Sequence, residues 1–373
     1  MAWGPKNPPP ANPAVWTANP YFFVVDELSQ QLPYLEQQRL FLASDGEAAK
    51  LRLLSGGDSW GIISELPAVP LAQAAKARGQ IDFQLTPKGD AYKSTATLFN
   101  MDAPDDRKVK LFQDVRFRRA FSLFVPRDKI NAILLAGSTL NTLDGFMYHT
   151  EHPWYELTLA NSEYINPDLD RANALLDELL PNKDANGFRL GPDGKPVTFL
   201  ATSVSDWRPI VSAGEMIIED LHLIGLKANF CTVGWGAWSD MKNSREWDIV
   251  FDQGTEGWAS QLPERQNLAA PKGVFQTQWA QKWWQWLDSD GANGEEPSQE
   301  IKDNWNLWNS MKSEAKLADL THQWYQAQAE QIWTIPHHTF PPEFDVWHPN
   351  SRNINLRTAR IGADEAGGLW LAN

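Results

Sequence analysis

Cysteine is almost missing. Cys231 is the single one among 373 residues, so no internal disulfide can form, and the thiol count says nothing about redox compartment. Long apolar runs are missing too, and none approaches the ~20 residues that a membrane-spanning helix needs. Basic residues are outnumbered, with 33 Lys and Arg against 47 Asp and Glu and a net charge of −14. Without a dense Lys/Arg stripe, the charge balance argues against nucleic acid or an anionic membrane surface as a partner. Residues 1–13 carry one lysine, many prolines and no hydrophobic stretch, which does not read as a secretory leader. That segment is expected to be an irregular, polyproline-like lead-in. Catalytic signatures are equally scarce. There is no GxSxG elbow, no HExxH and no glycine loop of the kind that cradles phosphate.

What the chain does have is tryptophan, 19 residues beside 7 tyrosines. Indoles bury large areas and also stack on ligands, so most belong to cores and the remainder are candidates for a ligand surface. The length is enough for two domains with ample core.

The densest local signal lies at 112–137, which reads as two helices joined at Pro126. Asp114 is placed to cap the first helix. Val115, Ala120, Leu123 and Phe124 share one apolar face, with Arg116, Arg118 and Arg119 spread over the rest. Pro126 ends that helix and opens the next, which carries Ile130, Ile133 and Leu134 and stops at Gly137.

Upstream, 38–43 reads as a strand, and Ser44 to Glu47 as a capping-box start to a helix that stops at Gly56-Gly57. A proline-initiated helix covers 66–78. Alternation at Ile81, Phe83 and Leu85, and again at Thr95, Thr97 and Phe99, gives two half-buried strands. Strands alternating with helices imply an α/β lobe. Downstream, Asn166-Pro167-Asp168 caps a helix with Leu169, Ala172, Leu175, Leu176 and Leu179. Pro192-Asp193-Gly194 turns a hairpin within 187–197. A helix over 208–223 with a Gly225 stop, a strand over 226–232, a short helix from Trp235 and a strand over 246–251 follow. Trp279, Trp283 and Trp286 share a helix face by spacing, as do Ile301, Trp305, Trp308 and Met311. The chain then returns through 332–335 and Val346-Trp347 to 353–354.

Several landmarks resemble a known family. Asp114-Val115-Arg116-Phe117-Arg118-Arg119-Ala120, the Pro126-Arg127-Asp128 step and Ile130-Asn131 resemble the extracellular solute-binding proteins of family 5, the peptide, oligopeptide and nickel receptors of ABC importers. Asn19-Pro20-Tyr21-Phe22, Leu32-Pro33-Tyr34-Leu35, the helix Asp170 to Asp177 with the hairpin to Phe199, and Trp247-Asp248-Ile249 are similar to that family in the same order. The acidic pair that the family carries after its Leu-x-x-Gly step is altered here around Gly56-Gly57-Asp58. The resemblance runs from about residue 15 to about 360.

It implies a two-lobed α/β architecture of the periplasmic-binding-protein type (type II, family 5), N-terminally truncated. One incomplete lobe is expected from 1–105 plus 340–373 and a second from 110–338. The function implied is capture of a peptide between two lobes and delivery to a permease driven by ATPase subunits, in the periplasm or attached to the cell envelope. The alternative is an oligosaccharide receptor, and a glycoside hydrolase is the rival from the enzyme class. No enzyme activity, cofactor, nucleic acid or membrane insertion is expected.

Ligand-facing residues are expected at Trp235, Trp238, Gly254, Glu256 and Trp258. Trp235 and Trp258 follow strand ends, where open α/β sheets place ligands, and they lie among glycines that let a ligand approach. Some peptide-binding members place an Asp after this strand for the peptide's amino terminus. Glu256 is the carboxylate nearest that position and reads equally as an exposed loop acid. His149 and His152 make too few ligands for a metal. His337-His338 is not expected to chelate, since neighbours on a strand face opposite ways.

Overall fold

The computed structural model describes residues 1–63, 66–85, 94–134, 163–253, 279–310, 317–339 and 344–351. The chain divides into two compact units, Met1–Pro87 with Glu343–Asn373, and Lys88–Pro342.

In the first unit, β1 (Trp3–Asn7), β2 (Ala14–Ala18) and β3 (Gln37–Leu40) form an antiparallel sheet in chain order. The expected irregular lead-in is therefore partly a strand. Pro5 is accommodated because β1 lies at the sheet edge, where a missing N–H is tolerated. A second sheet places β11 (Phe344–Trp347) between β4 (Trp60–Ile63) and β5 (Asp82–Leu85), antiparallel to both. Helices α1 (Gly46–Leu54) and α2 (Val69–Ala77) supply Leu53, Leu54, Ala72 and Ala75 to a core with Ile63, Phe344 and Val346.

The cap of α1 is Asp45, whose Oδ1 accepts from the Ala48 N–H at 2.8 Å, where the sequence pattern points to Ser44. An anionic acceptor suits the positive end of a helix better than a hydroxyl. Glu47 pairs instead with Lys50 at 2.9 Å. Gly56 is required at the helix stop. Its φ is +78°, and a Cβ there would sit 2.6 Å from the Gln80 carbonyl oxygen.

The second unit is built on a five-stranded sheet in the order β10 (Thr334–Thr339), β6 (Ser94–Phe99), β9 (Ile249–Gln253), β7 (Thr198–Val204), β8 (Lys227–Val233). β7 runs parallel to β8 and β9, while β6 is antiparallel to β9 and β10. Thr95, Ala96, Thr97, Leu98 and Phe99 are all buried. β6 is thus a strand covered on both faces, in the other unit from the one that a first lobe reaching to 105 gives it.

One side of the sheet carries α3 (Asp106–Gln113), α4 (Val115–Phe124), α5 (Arg127–Leu134) and α6 (Leu169–Leu179), of which α3 is not expected from the sequence. Asp114 and Asp168 cap α4 and α6, accepting from Arg116 N–H and Arg171 N–H at 2.9 Å each. Phe99 stacks on Phe112 at 5.0 Å and meets Phe121 edge-on at 5.1 Å, joining strand to helices. Gly137 lies outside the described residues.

Arg118, expected on the polar side of α4, is 1% exposed. Its guanidinium donates to the carbonyls of Phe112 and Gln113 at 2.7 Å each, and to that of Gln331 at 2.8 Å. These carbonyls end α3 and α11 (Leu317–Gln331). The buried cation is therefore balanced by two negative helix ends rather than by a bonded carboxylate. It also lies over Trp333 at 3.8 Å. Trp333 stacks on Trp279 at 5.6 Å and meets Trp283 edge-on at 5.8 Å. Trp283 sits on α9 (Gln281–Asp288). Trp279 precedes that helix by two residues, so the expected one-face stripe begins outside it. The last helix of the group, α10 (Gln299–Ser310), buries Ile301 and leaves Trp305 and Trp308 partly covered. Among the described residues, no helix is long and apolar enough to cross a membrane.

Candidate ligand-facing site

The parallel strands β7 and β8 end side by side at Val204 and Val233, where the Ser205 N–H donates to the Val233 carbonyl at 2.9 Å. Each strand then feeds a helix, as a crossover unit requires. β7 leads through Trp207, the cap residue of α7 (Arg208–Asp220), and β8 leads through Gly234 into α8 (Trp235–Ser244). The two indoles at these junctions meet edge to face, their ring centroids 4.8 Å apart. Trp235 is 49% exposed and Trp207 half-buried. Neither helix has a side-chain cap, so first-turn N–H groups are left for solvent or a ligand beside the rings.

Trp235 and Trp238 part company. Three residues on in α8, Trp238 is wholly buried and packs edge-on against Trp247 at 5.7 Å. It belongs to the core and supports the rim from below, with no face open to a ligand. Gly254, Glu256 and Trp258 lie outside the described residues. Trp207, which meets Trp235 here, is absent from the residues expected from the sequence. The rule that singles out Trp235, a residue just past a strand end, would have found it.

Behind the rim, buried charges fix strands to helices. Lys242 on α8 and Asp252 on β9 are both buried; burial lowers the lysine's pKa and the Asp252 charge opposes that shift. At the other end of the sheet, Arg245 pairs with Asp102 at 3.0 Å, and Asn100 donates to the carbonyls of Arg245 and Trp247 at 3.0 and 2.8 Å. Burial raises the Asp102 pKa, against the pull of Arg245.

His337 and His338 correct an expectation. The register between β10 and β6 shifts between Pro336 and His338, a bulge that puts both imidazoles on one face. His337 Nε2 lies 2.6 Å from Thr97 Oγ1, and His338 Nδ1 2.9 Å from Thr95 Oγ1, and those threonines share a face of β6. Both rings are buried and held neutral. Desolvation brings His338 down to about 3, and desolvation, together with coupling to His338 and the Arg127 charge, lowers His337 well below the usual histidine value. No group of three or more metal-ligating side chains occurs among the described residues. His149 and His152 lie outside them.

An α/β unit with an aromatic rim at the carboxyl ends of parallel strands has the architecture of a periplasmic binding protein. Solved structures agree. The binding protein MelB from Agrobacterium fabrum, in complex with stachyose, is similar with a TM-score of 0.74 at 18% identity, over 93% of this chain and 52% of that one. The oligopeptide-binding protein OppA is similar with a TM-score of 0.63 at 22% identity, over 95% and 58%. The family model for bacterial extracellular solute-binding proteins, family 5, middle region, matches residues 7–274. The chain belongs to that family. Among curated proteins, it is 24% identical over 237 residues to a probable ABC transporter-binding protein of Deinococcus radiodurans, covering 62% of this chain. It is 25% identical over 290 residues to a periplasmic alpha-galactoside-binding protein of Rhizobium meliloti, covering 74% of this chain. These matches span 39% and 41% of the two relatives' lengths, so the chain corresponds to about two fifths of each.

Proposed function

We propose that the chain is the solute-capturing component of an ABC importer, acting in the periplasm or at the cell envelope with a permease and ATPase subunits. Its ligand is an oligosaccharide that stacks at Trp207 and Trp235. The observation that carries this reading is the edge-to-face indole pair at the ends of β7 and β8, with Trp235 half open to solvent. A flat apolar face flanked by helix N–H donors suits a sugar ring, which offers C–H groups on one side and hydroxyl acceptors around it. The alpha-galactoside and stachyose ligands of two relatives support the same class. Binding is not followed by turnover.

Peptide, the first choice of the sequence reading, is the second reading here. It is supported by the likeness to OppA and by the carboxylate of Glu256 in the sequence after β9. Titrating tryptophan fluorescence with stachyose and with a mixed nonapeptide separates the two. The oligosaccharide reading predicts a saturable change with stachyose alone and no hydrolysis product by chromatography. Saturation with the peptide alone favours the second reading, and released monosaccharide contradicts a receptor of either kind.

A further inference from the structure

We propose that a second groove of the same unit, at the amino end of β7, binds a small amphipathic carboxylate. The groove encloses about 660 Å³, within the range of small-molecule sites. Its apolar floor comes from Leu111 on α3, Leu179 and Leu180 at the end of α6, and Pro196 and Val197 of the hairpin that leads into β7. β7 is seven residues long, which sets the groove about 20 Å from the indole pair.

Its walls are preformed. Arg189 of the hairpin is completely buried and donates to the carbonyls of Leu180 and Ile224 at 2.9 Å each, and to Asp177 Oδ1 at 2.7 Å. Arg107 of α3 bridges to Asp193 at the hairpin tip and to Asp105 at 2.8 Å. Floor and rim are thus tied together before any ligand arrives, which lowers the ordering cost of binding.

The charge at the rim selects the ligand. The lining holds Arg107, Lys108, Lys110 and Lys195 against Asp105, Asp114 and Asp193. Every one of those carboxylates is engaged, Asp105 and Asp193 by Arg107 and Asp114 by Arg116. Lys108 is held by Asp248 at 2.6 Å. Lys110 and Lys195 are exposed and make no ion pair among the described residues. On a chain of net charge −14, a groove lined by four cations against three carboxylates, with two ammonium groups outside any ion pair above an apolar floor, carries one net positive charge and is complementary to one acid group on an apolar body.

Isothermal titration of the whole chain with decanoate, below its micellar concentration, tests this. Saturable one-to-one binding is expected, weakened about tenfold or more in the double variant Lys110→Glu, Lys195→Glu. The neutral 1-decanol should bind more weakly than decanoate, and added stachyose should leave decanoate affinity unchanged. Both substitutions are at exposed positions, and an unchanged circular dichroism spectrum and melting temperature confirm that the variant folds. Absence of saturable binding, equal affinity for acid and alcohol, an indifferent double variant, or displacement by stachyose overturns the assignment. Binding of an acidic peptide where decanoate fails overturns it in favour of a protein partner.

Discussion

Trp279 and Trp283 pack on Trp333, which lies against Arg118, with every residue 6% exposed or less, whereas Trp207 and Trp235 meet beyond the strand ends with Trp235 49% exposed. Both groups pair indoles edge-on, at 5.8 and 6.1 Å in the first and 4.8 Å in the second, all within the ordinary range for aromatic pairs, so ring geometry does not decide their roles. What separates them is what lies on the remaining faces. In the first group it is a buried guanidinium and helix ends. In the second it is solvent, glycine and N–H groups without side-chain caps. The first arrangement spends its contacts on folding; the second keeps one face for something else.

If that contrast holds, its largest expression is in stability. Trp279→Ala should cost about 3–5 kcal/mol in chemical denaturation, since a large aromatic side chain is lost from a closed core. A loss below about 1 kcal/mol would mean that the group is not tightly packed. Arg118→Met should come next, at roughly 3 kcal/mol, because it leaves three carbonyls at helix ends without their shared donor. Arg118→Lys should recover only part of this, as one ammonium cannot span two helix ends in the same plane.

The smallest effect per residue is in pH dependence. His337 and His338 have folded pKa values below their unfolded value, so the unfolded chain binds protons first as the pH falls. Their contribution is complete above about pH 6.5 and is lost progressively below it, for His338 down to about 3. Between pH 7.5 and 5 the loss at His338 should be roughly 2 kcal/mol, and His337 should add a loss in the same direction. A His337→Gln, His338→Gln variant should show a flatter stability curve over that range than the parent. Parallel curves would mean that the two imidazoles are not desolvated.

Much of the second unit is legible in the sequence because its signals are local. Asp114 and Asp168 announce their helices, Pro192-Asp193-Gly194 turns the hairpin, and Gly225, at φ +69°, stops the turn before β8. What stays hidden depends on partners far along the chain. β6 alternates in sequence yet is covered on both faces, since its neighbours β9 and β10 come much later. β1 hides among prolines until β2 pairs with it. Arg118 reads as a residue of the polar side of its helix and Arg189 only as part of a hairpin, because nothing nearby announces that helix carbonyls will surround them. The bulge that turns His337 and His338 to one face depends on register, which no run of residues displays. At the candidate site, the position of Trp235 just past a strand end is legible in the sequence. The burial of Trp238 is not, because it is set by Trp247 arriving from another strand.

The most direct test of the account is a paired measurement on Trp235→Ala, following stachyose affinity by calorimetry and the melting temperature side by side. The account predicts affinity about thirtyfold weaker, the equivalent of roughly 2 kcal/mol for a stacking indole, with the melting temperature within a degree or two of the parent. Unchanged stachyose affinity, or a protein that melts far lower, would place Trp235 with the core tryptophans and contradict it.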